Sequence, residues 1–198
     1  MSGNSRVADA PIEPLFLDRW SPRAFDSGFL LNEASLLPLF EAARWAPSSF
    51  NWQPWRFAFA LRQEPRWAEF VDLLLPFNAL WAQNASALIF VMSETQIKLP
   101  MAEALTLSHS HAFDTGAACA LLALQARREG LCTHTLNGIH MDRIKGRLGV
   151  SPSQRVEAAI AVGKLGDRAG LPERLQARET PSGRRPVAEF AAPARLVD

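Results

Sequence analysis

The sequence predicts a mixed domain of class α/β or α+β, on three observations. Helical patterns alternate with short apolar strands along the chain. Two of those strands, at residues 85–92 and 156–165, are almost unbroken apolar runs, as expected where both faces of a strand are covered. The chain has 198 residues, enough for one core without staples.

Residues 1–14 read as a flexible leader and residues 15–20 as a short helix. Ser35 is expected to cap a second helix, with Pro38 in its first turn and Leu36, Leu39, Phe40 and Ala43 at helical spacing. Pro47 stops that helix, and a polar, aromatic loop spans 47–54. A strand at 55–61 and a helix at 65–75 follow; Trp67, Phe70, Val71 and Leu74 share one helix face. After the strand at 85–92, residues 94–110 are irregular and read as a mobile lid or a poorly packed helix. Asp114 should cap a long helix that ends near Gly130. Its Ala117, Ala118, Ala120 and Ala123 would let another helix approach closely. Residues 133–140 read as a loop, 141–148 as a short helix and 156–165 as a third strand. The domain body is then 15–165. Residues 166–198, rich in Pro, Gly and Arg, form an extended arm of the same domain.

Composition excludes several functions. The 21 basic residues balance 20 acidic ones, which argues against a nucleic-acid binder with a phosphate-facing patch. No apolar run approaches the roughly twenty residues needed to cross a bilayer, and the leader lacks a signal peptide's apolar core. Cys119 and Cys132 suggest neither a disulfide scaffold nor a metal site. A cytoplasmic protein without membrane or nucleic-acid partners is expected. His109 and His111 form a His-x-His pair near Asp114, but further closely spaced donors for a metal are missing. A serine hydrolase would need a Gly-x-Ser-x-Gly turn, which this chain lacks.

Four clusters hold the residues best suited to chemistry. Arg19, Ser21 and Arg23 alternate beside Trp20, so an extended segment turns all three one way. Guanidinium forks suit phosphate, and a serine can give or take a proton. On spacing alone, a solvated turn with surface ion pairs is the commoner reading. Ser48, Ser49, Asn51 and Gln53 lie among aromatics, where amides and hydroxyls can read the edge of a heterocycle. They also suit a loop whose polar groups satisfy its own backbone. Leu136, Asn137 and Gly138 form a turn in which glycine lets backbone approach a ligand. Ser182, Gly183, Arg184 and Arg185 in the arm could reach a phosphate or remain a solvated basic patch.

In this order the four clusters resemble the FMN-dependent nitroreductase family. The family's Arg-x-Ser-x-(Arg/Lys)-x-Phe opening matches Arg19, Ser21, Arg23 and Phe25. Its Ala-Pro-Ser-Ser-x-Asn-x-Gln-Pro-Trp element matches residues 46–55 without a mismatch. An Asn before the next strand matches Asn78, a Gly-containing loop matches Asn137 and Gly138, and a closing Arg-x-Pro matches Arg184 and Pro186. The similarity runs from residue 15 to about 190.

The resemblance implies a nitroreductase-type α+β fold of three layers, with a central, mainly antiparallel sheet flanked by helices. It implies an intertwined homodimer with FMN at the interface. Arg19 and Arg184 would hold the phosphate, while Ser21, Arg23 and Asn78 would meet the pyrimidine end, where a guanidinium stabilises the charge of reduced flavin. Ser48, Ser49 and Asn51 would come from the partner subunit. The backbone at Asn137 and Gly138 would meet flavin N5; Trp20, Gln53 and Leu136 complete the expected contacts. The implied activity takes hydride from NADH or NADPH and passes electrons to a small acceptor such as a nitroaromatic or quinone. No catalytic side chain is assigned, because the cofactor carries the chemistry. The alternative is an FMN-binding carrier, sensor or inactive scaffold without nicotinamide turnover. Ser182 replaces a lysine found in many relatives, Trp81 a lysine found in some, and Thr135 and Asn137 the acidic or proline residues common near N5. These departures leave the acceptor open, with residues 94–112 as the expected pocket wall.

Overall fold

A computed structural model describes residues 5–193. The remainder of the expected leader and arm, 1–4 and 194–198, lies outside the described residues. In chain order the elements are α1 (Pro14–Asp18), α2 (Glu33–Arg44), β1 (Trp55–Leu61), α3 (Trp67–Asp72), α4 (Pro76–Ala82) and β2 (Ala87–Glu94). Then come β3 (Gln96–Ile97), β4 (Thr106–Leu107), α5 (His111–Arg128), β5 (Cys132–Leu136), α6 (Met141–Leu148), β6 (Gln154–Gly163) and α7 (Glu173–Gln176).

Four strands pair in the order β1-β2-β6-β5, every pair antiparallel. Alternation along β2 divides the core. Leu88 and Phe90 join Phe70 of α3, Trp81 of α4 and Ile144 of α6 on one face. Ile89 and Val91 join Leu36 and Leu39 of α2 and Ala118 and Leu122 of α5 on the other. The result is the expected α+β arrangement, three layers around a central antiparallel sheet. Both faces of β2 and β6 are covered, which explains their continuous apolar runs.

Several elements differ from expectation, each for a local reason. Asn32, not Ser35, caps α2: its Oδ1 accepts from the Ser35 backbone N–H at 2.9 Å. Pro38 therefore sits in the helix interior instead of the first turn, on an exposed face while Leu36, Leu39 and Ala43 are fully buried. Solvent can hydrate the carbonyl that Pro38 leaves without a donor. Asp114 does not cap α5, which begins at His111 after Ser110. The helix expected at 65–75 ends at Asp72, and Pro76 at its permitted first position starts the unexpected α4. Residues 94–110 contain the β3–β4 hairpin and no helix. Residues 132–136 form edge strand β5 where a loop was expected, Thr133 pairing with Val162 and Thr135 with Ile160. Strands β2 and β6 each lie two residues upstream or downstream of their apolar runs, since the polar turn residues also pair.

One close approach positions the site. Beyond β6, Gly166 donates to the Ala24 carbonyl at 2.9 Å, and Asp26 donates to the Lys164 carbonyl at 3.0 Å. A Cβ on Gly166 would lie 2.6 Å from the Phe25 carbonyl carbon and 2.7 Å from the Asp26 nitrogen. Only glycine admits this contact, which aligns the arginine-bearing segment against the sheet's end.

Candidate functional site

The Arg19 segment leaves α1 in extended conformation and runs to the bridge between Phe25 and Leu165. It lines a cleft of about 370 Å³ with Arg6 and Arg184 from the two chain ends and His134 from β5. Trp20, Ser21 and Arg23 share this cleft. Arg19 Nη1 donates to Ser21 Oγ at 3.4 Å.

Charge is crowded there. Burial, then the charge of Arg184, holds the Arg19 guanidinium below its ordinary arginine range. Burial and the charges of Arg184 and Arg19 do the same to Arg6. An anion in the cleft relieves both the desolvation and the repulsion.

Glu179 fixes the Arg23 backbone. This buried carboxylate accepts from the N–H groups of Arg23 at 2.6 Å and Ala24 at 2.8 Å. Its other oxygen lies 4.0 Å from Arg23 Nη1. Among the described residues, Arg23 Nε is buried without a hydrogen-bond partner. Such a donor is costly unless something accepts from it.

His134 braces the same segment. Its Nδ1 lies 2.9 Å from the Pro22 carbonyl oxygen, and its ring centroid lies 4.6 Å from that of Trp81. Burial depresses the imidazole pKa to about 4. The ring is therefore neutral near pH 7, with its proton assigned to Nδ1 by the carbonyl acceptor.

Leu136, the last residue of β5, is buried, and Asn137 just beyond it is exposed. Asn78 Nδ2 donates to the Gly138 carbonyl at 3.1 Å, and that oxygen also accepts from Leu75 N at 2.9 Å. A Cβ at position 138 would lie 2.2 Å from Asn78 Nδ2. A larger residue there would push the Asn78 amide out of its bond to the Gly138 carbonyl. Strand β5 thus joins two expected clusters, carrying His134 at the cationic cleft and the Gly138 turn beyond its end.

The remaining cluster is held elsewhere, against α5. Ser49 donates its N–H to Asp114 at 3.1 Å, and Ser110 Oγ donates to the same oxygen at 3.0 Å. Ser48 Oγ accepts from Gln53 N at 3.0 Å, and Gln53 Nε2 donates to the Asn51 carbonyl at 3.1 Å. Phe50, Asn51 and Gln53 have φ of 51°, 54° and 54°, left-handed conformations that non-glycine residues seldom adopt. Such conformations cost on the order of 1–3 kcal/mol each and concentrate at ligand clamps and active sites.

Arg6, Arg178 and Glu179 join the cationic cleft or support it without any motif in the sequence. Only the meeting of the chain ends brings them there. His109 and His111 remain outside it: His111 Nδ1 lies 2.8 Å from Ser93 Oγ, and His109 lines a shallow hollow with Ser49 and Leu107. Among the described residues, no group of three or more His, Cys, Asp or Glu is placed to hold a metal ion. No helix among them is long and apolar enough to cross a membrane.

The model of the nitroreductase family matches residues 17–164. A solved structure of an oxidoreductase containing FMN is 44% identical with a TM-score of 0.93, covering 98% of each chain. The CLA biosynthesis enone reductase of Lactiplantibacillus plantarum is 25% identical, covering 81% of this chain and 86% of that protein. A nitroreductase family protein from Clostridium difficile 630 is 20% identical with a TM-score of 0.68, over 92% of this chain and 97% of that one. This last likeness shows the shared fold.

Proposed function

The chain belongs to the nitroreductase family, and on that premise we propose that it is an FMN-dependent oxidoreductase. It takes reducing equivalents from NADH or NADPH and delivers them to a small acceptor such as a nitroaromatic or quinone. The observation that carries the FMN assignment is the crowded cationic cleft continuous with β5. The 44% identical oxidoreductase that contains FMN supports the same reading.

The residues fit the group. Arg19 and Arg184 hold the phosphate; Trp20 walls the cleft beside them. Ser21, Arg23 and Asn78 meet the pyrimidine end, with the unpartnered Arg23 Nε as a donor awaiting an acceptor. The Leu136, Asn137 and Gly138 turn offers backbone to flavin N5, where glycine adds no side chain of its own. Bound FMN supplies two-electron transfer between nicotinamide and acceptor. The protein's part is to bind, orient and stabilise negative charge at the pyrimidine end. Ser48, Ser49 and Asn51 serve the partner subunit's flavin in a homodimer, and Gln53 completes the contacts. The strained, exposed loop that carries them supports that role.

Arg19→Ala should weaken FMN binding by on the order of tenfold or more, as loss of a charge-assisted phosphate contact implies. Fluorescence titration with FMN measures it, and circular dichroism checks that the fold is kept. Unchanged, stoichiometric FMN binding in a folded variant contradicts the phosphate assignment.

A further inference from the structure

The described parts of the leader and the arm meet at the cationic cleft. In the leader, Arg6 Nε donates to the Ser182 carbonyl at 2.8 Å. Its Nη1 donates to the carbonyls of Leu17 at 3.0 Å and Arg19 at 2.8 Å. Asp9 accepts from the Val187 N–H at 2.7 Å. The leader is thus tied to the segment carrying Arg19 and to the arm carrying Arg184. All three arginines line the same cleft.

We propose that Arg6 is a third phosphate-binding cation, so that the leader forms part of the cofactor site. This rests on the FMN reading above and adds a residue that no motif marks. The three carbonyl acceptors fix the position of the guanidinium. A neutral amide could also donate to carbonyls and tie the ends together, without adding charge to the cleft. The structure instead places a third guanidinium beside Arg19 and Arg184; burial first, then the charge of Arg184, lowers the pKa values of Arg6 and Arg19, and Arg19 adds to the effect on Arg6. Repulsion of this kind is costly, and a bound anion reverses it. A phosphate monoester brings close to two negative charges and three acceptor oxygens, enough for several guanidinium groups.

The test uses the full chain and two flavins. Riboflavin shares the ring system of FMN and lacks the phosphate. Titration of wild type and Arg6→Gln with each flavin gives the ratio of FMN to riboflavin affinity. The proposal expects that ratio to fall by on the order of tenfold in Arg6→Gln, with riboflavin binding little changed. An unchanged ratio overturns it, including the case where both flavins weaken together, because Arg6 then acts only as a structural tie. If Arg6→Gln fails to fold, Arg6→Met keeps the apolar stem and is read the same way. A wild type that binds both flavins equally also overturns the proposal. A wild type that binds neither overturns the FMN reading itself, a result distinct from a normal wild-type preference that survives loss of Arg6.

Discussion

His134 shows how one buried side chain makes the site depend on pH. The folded ring resists protonation down to a pKa of about 4, whereas the unfolded chain takes up the proton near the ordinary value of about 6.5. Between those values the unfolded state binds more protons. The His134 contribution is therefore intact above about pH 6.5 and is lost as pH falls toward about 4. Urea unfolding across that window should show wild type losing more stability than His134→Gln as pH falls. Parallel profiles for the two proteins would contradict the assignment. At this scale the sequence displays residue types and hides partners. Arg19, Ser21 and Arg23 were legible because alternation aims them together. Arg6 and Glu179 were not, because Arg6 reaches the cleft and Glu179 supports its Arg23 backbone only through contacts between segments far apart in the chain.

Among the elements, the segment after β6 bears most directly on the site. The backbone of Gly166 lies so close to Phe25 and Asp26 that an added Cβ meets main-chain atoms, which cannot rotate away. Gly166→Ala should cost more than about 2 kcal/mol in denaturant unfolding, against the usual gain of about 0.4–1 kcal/mol for Gly→Ala at an unstrained position. A variant as stable as wild type would contradict the close approach. Strands β2 and β6 were legible because burial on both faces leaves an apolar run that a single chain displays. Strand β5 was not: His134 and Thr135 interrupt its apolar residues, and pairing along one edge of β6 sets its conformation. The β3–β4 hairpin is equally hidden, since two-residue strands carry too little periodicity to read.

Across the whole molecule, several strongly exposed apolar groups sit on or beside α2 and α5. Leu37 and Trp45 of the α2 region, Phe50 of the strained loop and Phe113 of α5 are 64%, 71%, 65% and 81% exposed. Helices α2 and α5 pack together on one face of the sheet, and Asp114 of α5 holds the loop. Exposed apolar groups so placed are consistent with the proposed homodimer interface. Light scattering should give twice the mass of one chain, as a twofold homodimer requires; a single-chain mass with FMN bound would count against the shared site. The three-layer plan was implied by the family resemblance that the motifs carry, while the strand and helix pattern alone gave only the α/β or α+β class. The proposed assignment of Ser48, Ser49 and Asn51 to a different flavin from Arg19 is what the family resemblance implies, and the folded chain holds that loop against α5, away from the cationic cleft. The central claim, an FMN enzyme driven by a nicotinamide, is tested most directly by adding NADH or NADPH to the FMN-loaded protein without oxygen and following its visible absorption. The account predicts a yellow protein that bleaches with one of these donors and recovers its colour when an acceptor is added. A yellow protein whose spectrum neither donor changes would contradict nicotinamide turnover and leave the chain a flavin binder.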